Sequence, residues 1–163
     1  MTPNAEITAT LWKHLRSDRT VMLGLEASAP TTLRPMTAQL DSEADQGPIW
    51  FFTSTDAELV QGLNAQDLAI FTFVSKGYDV FATVHGHMTR TTDRAIIDRL
   101  WNPWVAAWYD GGKDDPKLVL LRFDPARAEI WRDGSSLLSG LKLLFGADPK
   151  ADAKENVAKV SLS

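Results

Sequence analysis

The strongest structural signal in this sequence is a pair of apolar segments, 68–75 and 79–91, separated only by Lys76-Gly77-Tyr78. Both segments are rich in β-branched and aromatic residues, which favour strands. From Val80 to Met88 every second residue is apolar or glycine, so one face of this strand is apolar. The two segments therefore predict a β-hairpin around which the rest of the chain is built.

Further strands and helices are predicted on both sides of this hairpin. Gly24 lies within one predicted strand and indicates a bulge or a close approach by another part of the chain. Asp93 is predicted to begin a helix, as is Thr55 or Asp56. The predicted strands are 20–27, 31–40, 49–53, 117–123 and 127–132, with a turn at Asp124-Pro125 between the last two and a further short strand near Val157 and Val160. The predicted helices are 5–17, 93–100, 136–145 and a short one after Pro103. This order predicts a β-rich α+β fold, a closed or split barrel with helices at its ends.

Composition narrows the classes of protein that this chain belongs to. A length of 163 residues fits one domain, and a net charge of −4 argues against a general nucleic-acid binder. The absence of cysteine excludes disulfides, thiolate nucleophiles and cysteine-ligated metals. The sequence has neither a signal-peptide pattern nor an apolar stretch long enough to span a membrane, so we expect a cytoplasmic protein without membrane contact.

A pair of histidines and a tryptophan-rich segment each have two interpretations. His85 and His87 lie on one strand face and could ligate a metal, but no third ligand is near in sequence, so two half-exposed histidines are favoured and no metal is predicted. The tryptophan-rich segment 101–109 either packs a helix pair over the barrel or stacks on a planar ligand.

Two other segments together indicate a phosphate site. Residues 34–37, with the sequence Arg-Pro-Met-Thr, place a cation and a hydroxyl on extended chain, and residues 53–55 end a strand with three hydroxyls directly before a helix. Hydroxyls and backbone N–H groups at a helix start bind phosphate, and an arginine supplies a fork for its oxygens. Taken alone, each segment is also explained as a surface arginine or an ordinary helix cap.

In their order, these segments resemble the pyridoxamine 5′-phosphate oxidase-like split-barrel superfamily, and within it the general stress protein 26 group. The resemblance covers about residues 5–133. Its most specific stretches are RPM at 34–36, GPIWFFTSTD at 47–56, GHMTRTTD at 86–93 and LWNPW at 100–104. It implies a six-stranded split β-barrel with peripheral helices over residues 1–146, followed by a C-terminal tail at 147–163.

The resemblance also implies a function. Members of this superfamily typically form homodimers that bind flavin mononucleotide (FMN) at the subunit interface, and the implied role is redox chemistry in a stress response. Because the flavin itself carries out such chemistry, no catalytic residue is predicted. The residues that correspond to the flavin site are Arg34, Pro35, Met36, Thr37, Phe51, Phe52, Thr53, Ser54 and Trp131. In this correspondence Arg34 reaches the phosphate or the flavin edge, residues 35–37 line the ring, Thr53 and Ser54 bind phosphate, and Trp131 comes from the other subunit.

One departure from the family pattern affects the cofactor. Relatives commonly place Ser-x-Lys at the start of the helix, and that serine and lysine hold the phosphate. Here Ala57 and Leu59 take those positions, with Glu58 between them. The expected cofactor is therefore FMN, with FAD, a deazaflavin or no cofactor as alternatives, and the last would make the chain a binding or interaction module. If Leu59 occupies the lysine position, a lysine introduced there is expected to strengthen FMN binding.

Overall fold

Strands dominate the computed structural model, which describes residues 3–27, 32–64, 66–132 and 157–163. The helices are α1 (Pro3–Asp18), α2 (Glu58–Gln61), α3 (Arg94–Leu100), α4 (Pro103–Ala106) and a 3-10 helix at Gly112–Asp114. The strands are β1 (Thr20–Leu25), β2 (Arg34–Thr37), β3 (Gln39–Leu40), β4 (Ile49–Ser54), β5 (Asp67–Val74), β6 (Val80–Thr91), β7 (Leu118–Arg132) and β8 (Val157–Ser161). The helix predicted at 136–145 lies outside the described residues.

The strands form one antiparallel sheet that curls on itself. Its strand order is β2-β1-β5-β6-β7-β4-β3, with β8 also paired to β7. The strands at the two ends of this order, β2 and β3, are separated in the chain only by Ala38, whose N–H donates to the Arg19 carbonyl over 2.7 Å. Because one residue joins both edges of the sheet, the sheet must close into a barrel. The β-rich split-barrel prediction is confirmed, and so is the short strand predicted around Val157 and Val160.

The predicted hairpin is confirmed and forms the wall of the core. Strands β5 and β6 pair from Val74 opposite Phe81 to Asp67 opposite Met88. The apolar face of β6 points inward, and α1 adds its buried stripe to the same cluster. The stripe consists of Ile7, Leu11 and Leu15. A second, smaller apolar cluster packs α3 against the other side of β4 and β7.

The turn predicted at Asp124-Pro125 is wrong, because β7 is one continuous strand of 15 residues. Its first half pairs with β4 and its second half with β8, while β6 pairs with both halves. The register with β6 shifts between His85 and Gly86, where Pro125 faces Gly86 and Ala126 is the extra residue. A proline lacks the N–H for a regular ladder but fits at such a bulge.

Local expectations at three other positions have different outcomes. The cap at Asp93 is confirmed, since its side chain accepts from the Ala95 N–H. The close approach at Gly24 is also confirmed, because a Cβ there would lie 2.4 Å from the Thr32 carbonyl oxygen. The helix start at Thr55 or Asp56 is wrong: α2 begins after Ala57, which has no side-chain cap.

Within the described ranges, no helix has both the length and the apolar character needed to cross a membrane.

Candidate functional site

A cavity of about 490 Å³ opens between β2, the end of β4 and α4. This volume lies in the range of about 300–1,000 Å³ that is typical of small-molecule sites. The lining residues are Thr20, Pro35, Met36, Thr37, Gln39, Phe52, Thr53, Ser54, Trp104, Val105, Trp108 and Tyr109. They combine apolar walls with hydroxyls and one amide, and none of these lining residues is charged. The cavity therefore suits a flat, largely uncharged molecule with polar edges.

Six of the nine site residues predicted from the sequence line this cavity. They come from two separate segments, residues 35–37 on β2 and 52–54 at the end of β4. The barrel closure through Ala38 brings these segments together, since β3, on the other side of Ala38, pairs with β4. Their side chains form one continuous wall.

The other three predicted residues do not line the cavity. Phe51 is fully buried in the barrel core, because successive side chains of β4 point to opposite faces and Phe52 takes the cavity side. Trp131 lies on β7, in register with Phe81 and Val157, and all three side chains are partly exposed. Arg34 precedes the lining segment, and its guanidinium is engaged elsewhere.

Gln39 is a functional candidate that the sequence analysis missed. The residue is only 8% exposed and borders the cavity, and its side chain makes no hydrogen bond within the described residues. The fully enclosed side-chain polar atoms without a partner in the described residues are Trp12 Nε1 and Trp50 Nε1, so the Gln39 amide is accessible from the cavity that it borders. A bound ligand would satisfy this amide. Strand β3 has only two residues, so no alternation pattern in the sequence marks Gln39 as inward-facing.

Short helix α4 forms the rim of the cavity. Asn102 caps the helix by accepting from the Trp104 and Val105 N–H groups, each over 3.0 Å. Trp101 contacts Phe52 edge-on, with ring centroids 6.0 Å apart, and lies 6.1 Å from the Tyr109 ring. Part of the tryptophan-rich segment therefore packs the helix against the barrel.

The remaining two tryptophans of this segment project from the rim. Trp104 and Trp108 are 85% and 86% exposed, and both line the cavity. They are four residues apart, so they can present neighbouring faces to one ligand or partner. Large aromatic side chains left this exposed commonly mark a binding surface.

Tyr109 fastens α4 to the end of β4. Its hydroxyl donates to the Thr53 carbonyl over 2.6 Å, and its ring is buried. Burial of the phenol, with a smaller contribution from the negative charge of Asp115, raises the pKa of Tyr109 to about 12. The neutral hydroxyl is therefore retained well into the alkaline range.

This shift predicts an alkaline loss of stability. The unfolded tyrosine ionises from about pH 10 and the folded one only near pH 12. The free energy of unfolding is then constant below pH 10 and falls by about 1 kcal/mol by pH 11. Urea unfolding at pH values between 8 and 11 measures this decrease in the free energy of unfolding.

The Tyr109→Phe variant should lose about 1 kcal/mol of stability at neutral pH, and its stability should then depend less on pH in the alkaline range. Tyr78→Phe, at an exposed ring, is the control, and a wild-type slope in Tyr109→Phe would contradict the assignment.

Two backbone N–H groups of the segment 55–59, which follows the predicted phosphate-binding residues Thr53 and Ser54, are engaged within the protein. The N–H groups of Thr55 and Ala57 already donate to the carbonyls of Lys117 and Ser54. Leu59 is buried in the barrel core, so its side chain points away from the cavity. Glu58 is exposed, and its carboxylate lies 3.2 Å from the Arg34 guanidinium.

The two strand histidines lie in different environments. His85 Nδ1 contacts the Glu26 carboxylate, and both side chains are partly buried. His87 is exposed on the same strand face. In the part of the chain that the structure describes, no group of three or more His, Cys, Asp or Glu side chains is arranged to hold a metal ion.

The fold and much of the sequence are similar to solved general stress proteins. A general stress family protein from Xanthomonas campestris pv. campestris is 53% identical, with a TM-score of 0.77 over 83% of this chain and 93% of that one. The general stress FMN/FAD-binding protein from Xanthomonas citri is 52% identical, with a TM-score of 0.76 over 81% and 92%. General stress protein 26 from Jannaschia sp. CCS1 is 31% identical, with a TM-score of 0.76 over 96% and 99%.

Characterised sequences give shorter matches, and a family model gives a longer one. General stress protein 26 of Bacillus subtilis is 29% identical over 65 residues, which is 40% of this chain and 46% of that protein. Protein bli-3 of Neurospora crassa is 26% identical over 80 residues, which is 44% of this chain and 38% of that protein. The chain thus matches less than half the length of each. The model for pyridoxamine 5′-phosphate oxidase-like proteins matches residues 6–150. The chain therefore belongs to the pyridoxamine 5′-phosphate oxidase-like family.

Proposed function

We propose that the protein binds a flavin, FMN or FAD, in this cavity and uses it for redox chemistry as a cytoplasmic homodimer in a stress response. The observation that carries the proposal is a neutral cavity with apolar walls, bordered by the Gln39 amide, which has no hydrogen-bond partner in the described residues. A flavin ring has flat apolar faces and a polar edge that such an amide would bind. The 52% identical protein from Xanthomonas citri, an FMN/FAD-binding protein, supports the same assignment.

The lining residues fit this ligand without a charged group. Pro35, Met36 and Phe52 would contact the ring faces, and the hydroxyls of Thr53 and Ser54 would bind polar atoms at its periphery. Trp108, together with Trp104 on α4, would cover the open side of the cavity and exclude water. The flavin, when bound, supplies the electron transfer, so the role of the protein is to bind and orient it. In the proposed homodimer, Trp131 would approach the flavin of the other subunit.

A titration of the purified protein with FMN and FAD, followed by flavin fluorescence, tests the proposal. We expect saturable binding at one site per chain, in a particle of twice the 18.0 kDa chain mass by light scattering. The Trp108→Ala variant should bind about two- to tenfold more weakly, because an aromatic contact is lost from an exposed position that does not support the fold. Tyr78→Ala, at an exposed ring in the turn between β5 and β6 and outside the cavity lining, is the matched control. A folded protein that binds neither flavin contradicts the proposal.

A second candidate function is a split barrel that binds a partner without any flavin. The observation that favours it is the pairing of Arg34 with Glu58, which occupies the cation that adjoins the lining segment 35–37. In that case the exposed Trp104 and Trp108 would form the contact surface. The same titration separates the two functions, because this candidate requires that flavin binding be absent.

A further inference from the structure

We infer that Glu58 sets the ligand preference of the cavity by occupying Arg34, so that the terminal phosphate of a flavin adds little to binding. The inference rests on the proposed flavin function and concerns which flavin the site prefers. It predicts that riboflavin, which has the same ring and ribityl chain but no phosphate, binds about as tightly as FMN.

The first step is the position of the cation. Arg34 directly precedes the lining residues 35–37 of β2, and its side chain leaves the strand on the same face as that of Met36. The Arg34 side chain is only 35% exposed, and it is the charged group that directly adjoins the lining segment 35–37. A phosphate at the β2 end of the cavity would lie beside it.

The second step is that this cation is already paired. The Arg34 Nη2 atom lies 3.2 Å from the Glu58 carboxylate. Lys117 is the other cation near residues 55–58, and its Nζ atom lies 3.8 Å from the Asp56 carboxylate. Both positive charges near residues 55–58 are therefore balanced by carboxylates. This region has no net positive charge with which to bind a phosphate.

The third step is the charge of the ligand. A phosphate monoester carries about −1.5 to −2 at pH 7. To reach Arg34 it must displace Glu58, and an exposed pair of this kind contributes about two- to fivefold in an equilibrium constant. The displaced carboxylate stays nearby, because the Glu58 backbone is fixed in α2, and its repulsion costs roughly a further five- to tenfold at about 6 Å in water. These two penalties offset the gain in affinity that a contact between the phosphate and Arg34 would give.

The test compares FMN with riboflavin, both titrated by flavin fluorescence into the wild-type protein and two variants. Glu58→Gln keeps the shape of the side chain and removes its charge at a position that is 80% exposed. Glu43→Gln makes the same change on a side chain that is 98% exposed and pairs with Arg16, away from the cavity lining. Both variants alter the net charge equally, so they separate a local effect from a general one.

We expect the wild-type protein to bind FMN and riboflavin with affinities within about threefold of each other. Glu58→Gln should tighten FMN binding about tenfold, leave riboflavin binding unchanged, and lose most of this gain in 1 M salt, where the screening length is about 3 Å. Glu43→Gln should change neither affinity. Wild-type protein that prefers FMN over riboflavin by more than tenfold, or equal FMN affinities in the two variants, would overturn the inference and leave flavin binding intact. Failure of both ligands to bind would instead overturn the proposed function.

Discussion

Replacing Leu59 by lysine is expected to destabilise the protein strongly, although the family pattern alone predicts that it strengthens cofactor binding. Leu59 is 6% exposed and packs in the core cluster. A lysine there would place an ammonium group among apolar side chains, without a carboxylate partner, and would also remove the leucine contacts. Such a change costs about 3–5 kcal/mol, a large part of the stability of a domain of this size.

Urea unfolding followed by tryptophan fluorescence measures this loss. The matched control is Gln61→Lys, which introduces the same residue in the same helix at an exposed position and should change the free energy of unfolding by less than about 0.5 kcal/mol. If Leu59→Lys is as stable as the control and binds FMN more tightly, residue 59 faces the cavity and the buried position described for it is wrong.

The sequence could not reveal this orientation, because α2 has only four residues. An apolar residue at position 59 is compatible with a core position and with a site that has lost its lysine. Only the start of the helix decides between them, and the hydroxyls at 53–55 indicated an earlier start. Where the pattern is longer the prediction was reliable, as in the alternation of β6 over 12 residues.

The residues around the cavity were also predicted only in part, because some of their roles depend on tertiary contacts. Segments 35–37 and 52–54 were found from the sequence, because their residue types and order are characteristic. Gln39 was missed as a site residue, and the hydrogen bond by which Tyr109 holds α4 was not predicted, because both depend on contacts between elements that are distant in the chain. The Tyr109 hydroxyl, for example, bonds to a carbonyl 56 residues away. The pairing of Arg34 with Glu58 likewise spans 24 residues and follows no local rule.

Strand β7 illustrates a prediction that was locally reasonable and still wrong. Asp-Pro is typical of turns, so residues 124 and 125 were assigned to a turn between two strands. The strand continues past this position because β6 supplies a partner on both sides of the proline, and a bulge accommodates the missing N–H. The residue that permits this bulge is Gly86 on the opposite strand.

Replacing Gly86 by alanine should therefore cause a loss of stability of about 3 kcal/mol or more, larger than an ordinary overpacked side chain. The added Cβ would lie 2.3 Å from the Asp124 carbonyl oxygen and 2.8 Å from the Phe123 ring. The carbonyl cannot retreat, because β7 is paired with β6 on both sides of the bulge. Nor can the ring move freely, since Phe123 is fully buried and packs 5.1 Å from Phe71, centroid to centroid.

Gly62→Ala provides the control, because its added Cβ would meet nothing closer than 3.4 Å and its backbone is right-handed, with φ −84°. That variant should be neutral or more stable by up to about 1 kcal/mol, since alanine restricts the unfolded chain more than glycine does. Urea midpoints of the two variants, compared at equal slopes, measure the difference. Equal midpoints would mean that β7 can move away from β6 at Pro125, and the bulge would then be a consequence of the proline alone and not a contact that requires glycine at 86.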